Sequence, residues 1–206
     1  MKVVRMFALL AIVVLACVTA GISQTVAAKT EPANVTFWNN LQKLCGQAYE
    51  GVIVADTSPS PDFTGKSMVM HVRSCEKDRI RIPFFVGEDK SRTWVLTRKG
   101  NRIELKHDHR HKDGTPDKVT MYGGTTNNTG EATRQFFPAD EQTTKVVAPP
   151  KGNAPSAAAN AWWIELVPGE YFSYNLRRLG GERLFSVKFD FKLQSVPPTA
   201  PWGWKD

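Results

Sequence analysis

Residues 184–193 read LFSVKFDFKL. Taken alternately, Phe185, Val187, Phe189, Phe191 and Leu193 fall on one side, and Ser186, Lys188, Asp190 and Lys192 on the other. Successive side chains leave a β-strand on opposite faces, so this period of two predicts a strand with one face on a core and one toward water. A helix would scatter the same phenylalanines around its axis.

The pattern recurs through most of the chain. Strands are expected over residues 49–56, 67–75, 78–86, 91–99, 101–111, 117–122, 132–137, 161–167, 171–179 and 183–193. Turn signals separate them: Ser-Pro-Ser-Pro at 58–61, Gly87-Glu88-Asp89, Lys99-Gly100-Asn101, Asp113-Gly114, Gly123-Gly124 and Gly180-Gly181. Before the first strand, Phe37, Leu41 and Leu44 share one face of a short helix over 34–44. Asn34 or Thr36 can cap its start and Gly46 can close its end. About ten short strands with almost no helix predict an all-β domain, an antiparallel barrel or sandwich. Hairpin order favours the up-and-down barrel. The Pro/Ala-rich segment 148–160 reads as a loop within this domain, and 196–206 as a Pro/Trp tail that is ordered only if its tryptophans dock.

The first residues read differently. Lys2 and Arg5 precede an apolar run from Met6 to Val18, and small residues end in Ala20 and again in Ala27 and Ala28. This is the order of a secretory signal over 1–27, with cleavage near 20–28 and an apolar core too short to span a membrane. The mature domain would then be 28–206, exported to the periplasm or medium. Val14-Leu15-Ala16-Cys17 offers the alternative of a lipoprotein anchored at Cys17. Export leaves Cys45 and Cys75, which most simply form one disulfide, worth roughly 3 kcal/mol in the loop-entropy model. The formal charge of the 206-residue chain is +7, or +5 once Lys2 and Arg5 are subtracted. The basic residues are interspersed with acidic ones, which argues against a nucleic-acid surface.

IELKHDHRH, residues 103–111, carries three of the four histidines. By parity, Ile103, Leu105, His107, His109 and His111 point one way, and Arg102, Glu104, Lys106, Asp108 and Arg110 the other. A row of charges marks solvent, so the histidines are expected to run from the interior to the rim, roughly 7 Å apart. Three readings stay open. They form a hydrogen-bonded polar rim; or His107 and His109 supply two nitrogens to zinc or another transition metal; or they face a ligand directly. All three cannot reach one ion from a straight strand. His71 lies on a face with Arg73, which argues against its joining them. Trp94 and Tyr122 join the three histidines as candidate ligand-facing side chains. Asp113 to Asp117 reads as a turn, since it lacks the spaced carboxylates of a calcium loop. Gly123-Gly124-Thr125-Thr126 reads as a hairpin connection.

HVRSC, RIPFFVGEDKSRTW, KHDHRHKDGTPDKVTMYGGTT and AWWIELVPGEYFSYNLRRLG together resemble an uncharacterised family of small exported bacterial proteins, which implies export but no activity. Gly46-Gln47-Ala48-Tyr49-Glu50-Gly51, entered from a short helix, resembles the first strand of lipocalin-like (calycin) barrels. Here Tyr49 stands for the usual tryptophan, with spacing one residue longer and Arg177, Arg178 or Arg183 as its basic partner. That resemblance implies a cavity open at one end and a small, often apolar ligand. Three functions follow: a non-catalytic binding module, a metal-assisted hydrolase or isomerase using the histidine strand, or a structural envelope protein with a filled core.

Overall fold

The structure, a computed structural model, describes residues 30–147 and 157–205. The expected signal, the lipid-anchor site at Cys17 and most of loop 148–160 lie outside the described residues. From Glu31 onward the chain forms one compact unit.

A helix, α1 (Ala33–Gln42), leads into β1 (Ala48–Asp56). Then follow β2 (Met68–His71), β3 (Ser74–Cys75), β4 (Arg79–Val86), β5 (Asp89–Lys99), β6 (Arg102–His109) and β7 (Tyr122–Thr125). After β8 (Arg134–Pro138) comes a short helix, α2 (Glu141–Val146), then β9 (Asn160–Val167), β10 (Tyr171–Arg178) and β11 (Leu184–Ser195). The sheet is antiparallel, with β3 paired to β4 and the order β7-β6-β5-β4-β2-β1-β11-β10-β9-β8. Almost every strand therefore lies beside its neighbour in sequence, and the pairing of β1 with β11 wraps the sheet into a nearly closed up-and-down barrel. Among the described residues, no helix is long and apolar enough to cross a membrane.

The gap lies between β7 and β8, where Gly124 bridges Ala139 and the Asp140 amide donates to the Gly123 carbonyl at 2.9 Å. Gly123-Gly124 is thus part of a strand and not the expected turn. A side chain at Gly124 would stand 1.7 Å from the Pro138 carbonyl oxygen, and one at Gly123 would stand 1.9 Å from that of Leu105. Only glycine lets the seam approach so closely. The strand expected at 117–122 is correspondingly displaced, and Asp117 to Met121 is loop. Thr143 of α2 finishes the seam: its hydroxyl donates to the Gly123 carbonyl and accepts from the Gly123 amide, both at 2.7 Å. An edge whose backbone groups would otherwise seek another chain is satisfied within the molecule.

The core follows the alternation. Phe185, Val187 and Phe189 are buried, whereas Phe191 is half-buried and Leu193 is exposed, in the stretch where the β1–β11 register shifts between Phe189 and Gln194. Phe37, Trp38 and Leu41 bring α1 into the same core. The helix is entered from Pro32 with no side-chain cap, in place of the expected Asn34 or Thr36. Asn34 is buried instead, its Nδ2 donating to the Asn101 carbonyl at the β5–β6 turn. That bond places α1 at the end of the barrel where β6 begins. The expected strand 67–75 is split at Val72 and Arg73. Cys45 and Cys75 are disulfide-bonded, tying the chain after α1 to β3. A thiol assay on the denatured, unreduced protein should find no free sulfhydryl from this pair; two reactive thiols would contradict the bond. The tail docks: the Trp202 amide donates to the Lys90 carbonyl at 3.1 Å, and the Arg73 guanidinium lies 5.2 Å from the Trp204 ring.

Candidate functional site

Away from α1, where β6 ends and Arg92 of β5, Arg178 of β10 and Arg183 just before β11 gather, the barrel holds an open cavity of about 490 Å³. Its walls are aromatic. Trp94 is stacked between Phe84 at 4.8 Å and Tyr174 at 4.5 Å, while Trp162, Tyr122 and Phe185 also line the space. These positions are the inward stripes of their strands, so the alternation that builds the core also builds the wall.

His107 and His109 face this cavity. His111 does not. β6 stops at His109, Arg110 pairs with Pro116, and the His111 amide donates to the Thr115 carbonyl, so the chain turns and leaves the His111 side chain exposed. The expected three-histidine face therefore ends one residue pair early. The opposite face departs from expectation at Lys106, which points outward yet is buried beneath α2. Its ammonium meets Asp140 at 2.5 Å and Gln142 at 2.9 Å. Asp108 and Arg110 pair with each other, and Asp108 also accepts from the Thr120 hydroxyl at 3.2 Å. They border a second recess, against the docked tail, and are not a free solvent face.

The imidazoles have defined partners. His107 Nδ1 lies 3.0 Å from the Tyr122 carbonyl, which can only accept, so Nδ1 carries the proton of the neutral ring. Nε2 is then the acceptor, and the Tyr174 hydroxyl donates to it at 2.7 Å. His109 Nε2 lies 3.1 Å from the Tyr122 hydroxyl. Burial pushes the pKa of His107 down to about 3, reinforced by His109 and Lys106, and the Tyr122 carbonyl opposes it only in part. Burial and then Arg92 push His109 down to about 4. Tyr122, buried beside them, is raised to about 12. At neutral pH the whole group is uncharged: two imidazoles and two phenols.

This arrangement does not suit a metal. Both nitrogens of His107 are engaged, and His109 turns Nε2 toward a phenol. Among the described residues no group of three or more His, Cys, Asp or Glu side chains converges as ligands. His71 stays apart as expected: Met68 and Met70 enter the core, and His71 is buried on the other face, with Nδ1 unpartnered. Nor, among the described residues, does either cavity histidine hydrogen-bond a carboxylate that would orient it as a general base. The expected pocket residues Trp94 and Tyr122 do line the cavity.

The parity rule also held a signal that the sequence reading passed over. Arg92 shares its parity with Trp94, Arg178 with Tyr174 and Leu176, and Arg183 with Phe185. Three inward stripes therefore end in arginine at the open end. None lies over Tyr49 as the basic partner of the calycin pattern; Tyr49 packs on Phe191 at 4.7 Å. Comparison with family models, curated proteins and solved structures finds no match to this chain.

Proposed function

We propose that this protein is an exported, non-catalytic binding module that holds a small, largely apolar molecule in its barrel. The cavity carries this reading: several hundred cubic ångströms, aromatic walls and a few convergent polar groups are the usual make-up of a small-molecule site. A structural protein with a filled core has no use for such a space. An enzyme would need an activated group, whereas the histidines here are neutral and held by phenols and a carbonyl. The chain's path, a short helix entering an up-and-down barrel that opens at the far end, supports a lipocalin-like mode of binding. The disulfide accords with an oxidising compartment and hence with export.

N-phenyl-1-naphthylamine, an uncharged dye that brightens in apolar surroundings, tests the proposal. It should bind saturably with one site per chain. Leu176→Trp, which fills the mouth without touching the histidines, should weaken binding severalfold while the protein stays folded. Absence of saturable brightening would contradict a ligand cavity.

A further inference from the structure

Resting on that reading, we propose that the ligand is an amphipathic anion, its apolar body against Trp94 and Trp162 and its acidic group held at Arg178. The charges at the open end decide this. Among the described residues lining the cavity, the cationic side chains are Arg92, Arg178 and Arg183, and the carboxylate is Asp117. The histidines add no charge at neutral pH.

Two of the guanidinium groups are already neutralised. Arg92 pairs with Asp89 at 2.5 Å and lies 5.1 Å from the Phe63 ring. Arg183 pairs with Asp56 and donates to the Ser58 carbonyl at 3.1 Å. Arg178 differs. Its Nε donates to the Asn160 Oδ1 at 3.0 Å, and among the described residues no carboxylate lies within ion-pair distance of it. The Asn160 bond fixes the plane of the guanidinium at its inner edge. The two terminal nitrogens donate to no acceptor among the described residues, and a planar carboxylate or a sulfonate accepts two such bonds side by side. Arg178 is half-buried at the mouth, and an anionic ligand head would supply the counter-charge that the described residues do not. An ammonium head at Arg178 would meet repulsion; the lining carboxylate, Asp117, sits on the loop after His111, where its Oδ1 accepts from the Val119 amide.

The walls exclude a purely polar anion. Below Arg178, the inward positions of β10 are Leu176, Tyr174 and Phe172, and those of β9 below Asn160 are Trp162, Ile164 and Leu166. A head group at Arg178 therefore leads directly onto aromatic and aliphatic surface. The hydroxyl of Tyr174 is committed to His107, so the polar anchor lies at the mouth and the apolar contact inside.

Decanoate, decanol and decylamine share one tail and differ in the head. Each is titrated at pH 7.5 into the full mature chain and read by tryptophan fluorescence and calorimetry. The acid should bind about tenfold or more tighter than the alcohol, as a charge-assisted hydrogen bond implies, and the amine should bind most weakly. Arg178→Gln should bring the acid to the alcohol's affinity and leave the alcohol unchanged, while Arg178→Lys should restore part of the preference. Equal binding of acid and alcohol by the natural protein, or a preference that survives in Arg178→Gln, would overturn the head-group assignment and leave the cavity reading intact. Failure of all three to bind would overturn both. Thermal melts of each variant confirm that the protein compared is folded.

Discussion

Phe189→Ala should destabilise the protein by about 3 to 5 kcal/mol, the range for removing a buried aromatic ring. Phe189 is fully buried near the centre of β11, with the rings of Phe84, Phe172 and Trp94 at 5.9, 6.1 and 6.2 Å. Its ring also covers Gly51 of β1. A Cβ at position 51 would stand 2.5 Å from the Phe189 ring, so glycine and phenylalanine form one packing unit across the β1–β11 pair. The truncation leaves a void at the pairing that wraps the sheet, and the surrounding strands can collapse onto it only in part. Lys188, next in sequence, faces outward and lays its ammonium 4.1 Å from the Tyr171 ring. Lys188→Ala should cost no more than about 1 kcal/mol. Chemical denaturation of the two variants separates the outcomes. Equal losses would mean that the inward parity of β11 is wrong.

Acid should weaken the fold well above the range where carboxylates protonate. In the unfolded chain His107 and His109 titrate near 6.5. In the native state burial holds them at about 3 and about 4. The native form therefore refuses protons that the unfolded form accepts. Stability is full above pH 6.5 and falls as pH drops toward the native values. Each ring contributes a slope of up to about 1.4 kcal/mol per pH unit in that window. Between pH 6.5 and 5 both rings are neutral in the native state, so their contributions add. His71, lowered by burial and by Arg73, adds a contribution of the same sign. Between pH 6.5 and 5 most carboxylates stay ionised in both states, so the slope there belongs to histidine. Denaturant midpoints across this interval should decline steeply for the natural protein and less steeply for His107→Gln, which keeps a donor and an acceptor but cannot ionise. A flat profile from 6.5 to 5 would contradict the burial of both rings.

Parity along the strands was legible from the residues alone, most cleanly in β11, where Phe185, Val187, Phe189 and Phe191 alternate with Ser186, Lys188, Asp190 and Lys192. It placed His107 and His109 inward, Trp94 and Tyr122 stood out as aromatic candidates, and the cysteine pair followed from arithmetic. Strand length was less legible. The alternation continues through His111 although β6 ends at His109, and through Leu193 although the β1–β11 register shifts there, since parity says which way a residue of a regular strand faces but not where the pairing stops or slips. The covering of the outer face escaped for a similar reason. Lys106 looks solvated in its own strand and is buried by a helix that comes more than thirty residues later. That helix did leave a mark, since Asp140 caps it by accepting from the Thr143 amide and Lys145 meets Glu141 at 2.6 Å. The glycine pair at 123 and 124 misled because glycine usually signals a turn. Here it signals a backbone approach at the barrel seam, which only the three-dimensional path reveals.

The central claim is that the space beneath Arg178 belongs to a ligand. Native mass spectrometry of the protein, purified without denaturation from the cells that make it, tests this most directly. The account predicts the disulfide-bonded chain carrying one small acidic organic molecule, released on denaturation and absent from the Leu176→Trp variant. Bare polypeptide from both, with no small molecule in the denatured extract, would contradict it.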